Sequence, residues 1–105
     1  LKNIKNLHLP ILKKNSQNSY HQFVIRTNLR NKLKSFLKSK NIQTMIHYPY
    51  MLSDLKIYQK SLRIKNLKNS KNLGDKILSL PISEEHTKKE IHYVAKSVKA
   101  FFYKN

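Results

Sequence analysis

Between residues 20 and 48 the hydrophobic pattern changes period twice. Tyr20 to Thr27 is dense in aromatic and β-branched residues and reads as a strand. Leu29, Leu33, Phe36 and Leu37 then recur as one stripe of an amphipathic helix over 29–40. Asn28 is placed to cap that helix, Lys38 and Lys40 suit its negative end, and Asn41 suits a left-handed stop. From Ile42 to Pro49, Ile42, Thr44 and Ile46 fall on one face and Gln43, Met45 and His47 on the other. That alternation predicts a second strand, closed by a proline that lacks an N–H. Strand, helix and strand over about thirty residues predict a βαβ-like unit with parallel strands and a right-handed crossover.

The flanks are read the same way. Leu1 to Asn6 resembles the tail of a helix, and Leu7 to Ile11 a short edge strand that tolerates Pro10. Lys13 to Ser19 is polar and predicts a loop. Met51, Leu55, Tyr58 and Leu62 have helical spacing, Ser53 and Asp54 suit a turn, and Arg63 to Asn69 reads as a basic connector. Ser70 is expected to cap a helix over 71–79 that buries Leu73, Ile77 and Leu78, with 80–83 extended around Pro81. Thr87-Lys88-Lys89-Glu90 is a capping box. It opens a helix to about Tyr103 with Ile91, Val94, Ala95, Val98, Phe101 and Phe102 inward, so the two phenylalanines read as core. The expected fold is α/β: a small sheet of two to three or more strands with packed helices, one domain over 1–105.

Charge adds a rival reading. The chain carries 22 Lys and Arg against 5 Asp and Glu, a formal +17, which raises a basic binding module for nucleic acid or another polyanion. Against it, lysines outnumber arginines 19 to 3 and run from Lys2 to Lys104 without gathering into a stripe. With 11 Asn and one Gly this resembles a compositional bias, so no specific nucleic-acid partner is expected. Salt-dependent retention on DNA would favour the module; loss at moderate ionic strength without sequence preference would reduce it to bulk charge. The lack of cysteine excludes disulfides and thiolate metal sites. No stretch of eighteen apolar residues and no signal peptide is present, so neither a membrane span nor export is expected, and the cytoplasm is the expected compartment. A chain opening on Leu1 is expected to be a fragment.

Catalytic motifs are sparse. There is no Gly-rich phosphate loop, no Gly-x-Ser-x-Gly elbow and no cysteine nucleophile. Five scattered histidines include no His-x-x-x-His pair, so metal-ligand spacing is missing. Glu84-Glu85-His86 is the acid–histidine cluster and reads as the polar approach to the last helix. His47 and Tyr48 stand where a strand gives way to a loop, a position from which a scaffold presents working side chains. The alternative is that Tyr48 packs and His47 is a solvated rim residue.

The succession of strand 20–27, helix 29–40, Ile46-His47-Tyr48-Pro49, Leu78-Ser79-Leu80-Pro81-Ile82-Ser83 and helix 87–102 resembles a known family. It is similar to the C-terminal segment of the DegT/DnrJ/EryC1/StrS sugar aminotransferases, from about residue 1 to residue 103. The resemblance implies a fold-type I enzyme that uses pyridoxal phosphate to move an amino group from glutamate to a nucleotide-linked keto sugar, for surface-polysaccharide or amino-sugar biosynthesis. It implies a homodimer as the full-length protein. This chain would be the small domain that closes over the cleft. The Schiff-base lysine and the phosphate cradle lie upstream in that family, so the resemblance implies no catalytic residue here and no cofactor on this chain alone. His47 and Tyr48 match the family's His-Tyr-Pro and would line the sugar or cofactor side of the cleft. His21 matches a histidine at the head of the preceding strand, with a structural role as its alternative. After this proline the family often continues with a second proline, then histidine, leucine and glutamine before an aromatic. Here Met51, Ser53, Asp54 and Leu55 stand at those places and only Tyr58 fits.

Overall fold

Backbone pairing around one central row organises the chain. The computed structural model describes residues 1–59 and 67–104. Strands β1 (Phe23–Arg26) and β2 (Ile77–Leu80) pair antiparallel, with Phe23 opposite Leu80 and Arg26 opposite Ile77. Two isolated bridges extend this pair sideways. His8 exchanges both backbone bonds with Arg26 at 2.9 Å, and Met45 exchanges both with Ser79 at 2.8 and 3.1 Å. The rows therefore run His8, β1, β2, Met45, every neighbour antiparallel. The helices are α1 (Arg30–Ser39), α2 (Lys56–Gln59), α3 (Lys68–Gly74) and α4 (Lys88–Tyr103), with a 3-10 turn at Leu52–Asp54.

The α/β architecture agrees with expectation, but the strand order corrects it. Residues 42–47 form a single bridge at Met45 and no full strand, and they do not pair with β1. They do run parallel to β1, since both are antiparallel to β2, yet one row away. The row between them was expected to end a helix over 71–79. Instead α3 stops at Gly74, where Lys76 N–H turns back to Leu73 O at 2.9 Å, and the chain extends from Ile77. Leu78 and Leu80 point into the core at 0% and 6% exposure, and backbone neighbours on both sides satisfy the ladder. That combination outweighs the helical spacing of Leu73 and Ile77, which remain half-buried.

Local stop signals hold better. After α1, Asn41 adopts φ 58, its N–H reaches Lys38 O at 3.0 Å, and Ile42 N–H reaches Leu37 O at 2.9 Å. Those two bonds are a Schellman motif, and Leu37 and Ile42 meet in the core beneath it. Asn28 does not cap α1: the helix begins after Leu29 with no side-chain cap, and Thr27 Oγ1 accepts from Leu29 N–H at 3.1 Å. Leu67, not Ser70, precedes α3. Thr87 and Glu90 form the expected capping box on α4. Residues 1–6 are two turns with Asn3 and Asn6 left-handed, not a helix tail. The helical spacing of Met51, Leu55 and Tyr58 is realised only as the 3-10 turn and α2; Leu62 and residues 63–66 of the connector lie outside the described residues.

Ile4, Leu7, Ile25, Leu33, Leu37, Ile42, Leu78, Leu80, Val98 and Phe101 make up one buried cluster between the sheet, α1 and α4. Phe101 stacks obliquely on Phe36 at 5.5 Å and edge-on against Phe102 at 5.2 Å, as expected of core residues. Ile91 departs from its expected inward position and is exposed, so the buried face of α4 starts at Val94. The radius of gyration, 15.8 Å, exceeds the roughly 13 Å of a compact domain of this length.

Candidate functional site

On β2 the leucines claim the core face, which leaves Ser79 on the other. Its hydroxyl sits 2.9 Å from His47 Nδ1, so the serine of the 78–83 block touches the histidine of the 46–49 block. The strand bridge at Met45 sets this distance by pinning the extended segment two residues before His47. His47 is half-buried. Tyr48 follows through a cis peptide and stands edge-on to the His47 ring at 5.8 Å, 71% exposed.

A groove of about 800 Å³ opens over this junction. Its lining includes His21, His47, Ser79, His86, Glu90 and Tyr93. The structure thus places His21 and His47 in one groove lining and leaves Tyr48 outside it. Sequence reasoning missed Ser79, which was assigned to a helix, and Tyr93. Strict alternation in Leu78-Ser79-Leu80 was the available signal for Ser79. His86 and Glu90 were read only as the approach and cap of α4; they serve that end and also wall the groove. Tyr93 donates its hydroxyl to Lys40 O at 3.1 Å, which ties α4 to the C-terminal end of α1 across one side of the opening.

The groove's electrostatics are set by its α4 wall. The Thr87 hydroxyl and backbone N–H donate to Glu90 Oε2 at 2.7 and 2.8 Å and hold that carboxyl below the usual glutamate range. The charge of His86 acts in the same direction, so Glu90 is an anion at neutral pH. No group of three metal-ligating side chains occurs among the described residues. Nor do the lining residues fit a pyridoxal phosphate seat. The lining lysine, Lys40, carries its ammonium over the Phe36 ring at 6.0 Å.

The sequence profile of the DegT/DnrJ/EryC1/StrS aminotransferase family matches residues 1–99, a span that contains both blocks meeting at Ser79 and His47. The chain belongs to this family. Among characterised relatives, it is 31% identical to the dTDP-3-amino-3,6-dideoxy-α-D-galactopyranose transaminase of Aneurinibacillus thermoaerophilus. That match covers 98% of this chain and 29% of the Aneurinibacillus protein. A pleiotropic regulatory protein of Geobacillus stearothermophilus is 32% identical over 85 residues, 79% of this chain and 23% of that one. Among solved structures, DesV of S. venezuelae superposes with a TM-score of 0.86 at 23% identity, over 95% of this chain and 27% of DesV. A DegT/DnrJ/EryC1/StrS aminotransferase from Brucella abortus gives 0.85 at 23% identity, over 92% of this chain and 26% of that protein. These two likenesses establish the fold. The chain therefore has the length of rather under a third of its aminotransferase relatives.

Proposed function

We propose that this chain, residues 1–105, is the small domain of a longer aminotransferase acting on a nucleotide-linked keto sugar. The observation that carries the reading is the Ser79–His47 contact, which joins two family-matched blocks at the floor of a groove. Similarity over 98% of the chain to a dTDP-sugar transaminase supports the substrate class. Glutamate is the amino donor on this reading, the full-length protein is a homodimer in the cytoplasm, and the product enters surface-polysaccharide or amino-sugar synthesis. No helix among the described residues is long and apolar enough to cross a membrane.

Pyridoxal phosphate, when bound to the full-length enzyme, supplies the electron sink for moving the amino group. Its seat belongs to the part of the enzyme outside this chain. The residues here bind and orient the sugar. His47, held two residues beyond the Met45 bridge, meets a ring oxygen or hydroxyl at low entropic cost. Tyr48, exposed and edge-on to His47, offers a flat apolar face with one hydroxyl, and the Glu90 carboxylate accepts from sugar hydroxyls. His21, which lines the same groove, adds a further polar contact.

The test uses the full-length enzyme, or a chimaera in which this chain replaces the matching 29% of the Aneurinibacillus transaminase. His47→Ala is expected to lower turnover or sugar affinity about tenfold to a hundredfold, as loss of one good polar contact does. The melting temperature should fall only by what one unpaired Ser79 hydroxyl costs, because a half-buried side chain leaves no large cavity. Unchanged kinetics with a lowered melting temperature would sink the assignment.

A further inference from the structure

Ser79 is a buried polar residue with almost all of its bonding already committed. Though turned away from the core, it is only 7% exposed. Its N–H donates to Met45 O at 2.8 Å and its carbonyl accepts from Met45 N–H at 3.1 Å. Both backbone groups of Ser79 thus face Met45, which makes its pairing with Val24 on the other side a non-hydrogen-bonded one. Only the hydroxyl is left. It meets His47 Nδ1 at 2.9 Å, and among the described residues it has no second hydrogen-bond partner. His47 lies two residues beyond Met45, the diagonal place that a long side chain reaches across a strand pair.

Proton counting then chooses between the two neutral forms of the ring. A hydroxyl brings one proton and a neutral imidazole brings one N–H. If Nδ1 carried the proton, it would donate to Ser79 Oγ and leave the hydroxyl proton buried without an acceptor. An unmade buried bond of that kind weights the populations by about tenfold or more. With the proton on Nε2, the Ser79 hydroxyl donates to Nδ1 and neither group is orphaned. Nε2–H has no partner among the described residues and is the ring atom left for whatever occupies the groove.

We infer that Ser79 is a positioning residue that holds His47 as its Nε2–H tautomer, so that His47 meets a ligand oxygen as an N–H donor and not as a base. The inference rests on the reading of this groove as the sugar cleft. It deepens that reading by stating which atom of His47 makes the contact and what sets it. The complementary ligand atom is an acceptor oxygen of a carbonyl, hydroxyl or phosphate. The other ionisable groups sharing the lining are His21, His86, Glu90, Tyr93 and Lys40.

The tautomer is measured on the ¹⁵N-labelled chain itself by two-bond proton–nitrogen correlation of the histidine rings, above about pH 8, where free imidazoles are neutral. His47 should show a lone-pair Nδ1 shifted by an accepted hydrogen bond, and a protonated Nε2. Ser79→Ala should move Nδ1 to the position of an unbonded lone-pair nitrogen, and Ser79→Thr, which keeps the hydroxyl, should restore it. The Met45 amide, bonded to Ser79 O at 3.1 Å, reports in each variant that the backbone pairing beside the hydroxyl is intact. A protonated Nδ1 in the unmodified chain, or an Nδ1 resonance that ignores Ser79→Ala, overturns the inference. In the chimaera, Ser79→Ala should lower kcat/KM about threefold to tenfold, and should lower it no further once His47 is alanine. An equal loss on both backgrounds marks a purely structural serine and also overturns it. The tautomer is read without catalysis, so its outcome is separate from the His47→Ala kinetics that test the cleft.

Discussion

The body formed by β1, β2, α1 and α4 and the segment from Tyr48 to Tyr58 are made of similar residues and end in opposite surroundings. Ile25, Leu33, Leu37, Leu78 and Val98 are 0% exposed, whereas Tyr48, Tyr50, Leu52 and Ile57 are between 69% and 76% exposed. In the body, apolar residues recur at the period of their own element, and each element faces another that does the same. The segment has one 3-10 turn and a four-residue helix, too short to present a stripe, and these two pack on each other. Its anchor is Met51, half-buried against Gly74 at the end of α3. Hydrophobicity nominates a residue for burial, and a facing surface decides whether burial happens.

Deleting core atoms should break the contrast most sharply. Leu78→Ala removes a fully buried side chain from the central row and is expected to destabilise the chain by about 2–5 kcal/mol in urea denaturation. Gly74→Ala should act in the opposite direction. A Cβ there would rest 3.4 Å from Met51 Cε, ordinary contact, and the helix end would gain about 0.5–1 kcal/mol relative to glycine. A destabilised Gly74→Ala would show that Met51 is held more rigidly than that distance implies.

Ile57→Ser in the exposed segment should change stability by less than about 0.5 kcal/mol, though it removes an aliphatic side chain as Leu78→Ala does. A larger loss in the isolated chain would mean that the segment is part of the core. The smallest effect concerns the cap of α4. Because Glu90 has a lowered folded pKa, its contribution is present above the unfolded value of about 4.3 and is lost as pH falls through the folded one. Protection factors of the amides over the first turn of α4, which are exchange rates corrected for the intrinsic pH dependence, should therefore fall on acidification from about pH 5 to pH 3, and Glu90→Gln should flatten that response.

Much of the chain was legible because its signals are short-range. The stripes of α1 and α4, the Schellman stop at Asn41 and the Thr87–Glu90 box are each complete within a few residues. So were the position of His47 at the end of an extended run and the family itself. Leu78 is where that legibility failed. Leu73, Ile77 and Leu78 satisfy a helical template, and nothing nearby in the sequence says that Val24 and Met45 will flank Ser79.

By itself, then, the sequence determined the stripes of α1 and α4, the stop at Asn41, the Thr87–Glu90 cap and the α/β class, because hydrogen bonds and side-chain periods within one turn depend only on close neighbours. The tertiary structure decided that Ile77–Leu80 is the central row, that 42–47 pairs with it through one bridge, and that Ser79 meets His47. Strand pairing draws its backbone partners from far along the chain, and which partners they are is settled only when the core closes around Leu78 and Leu80.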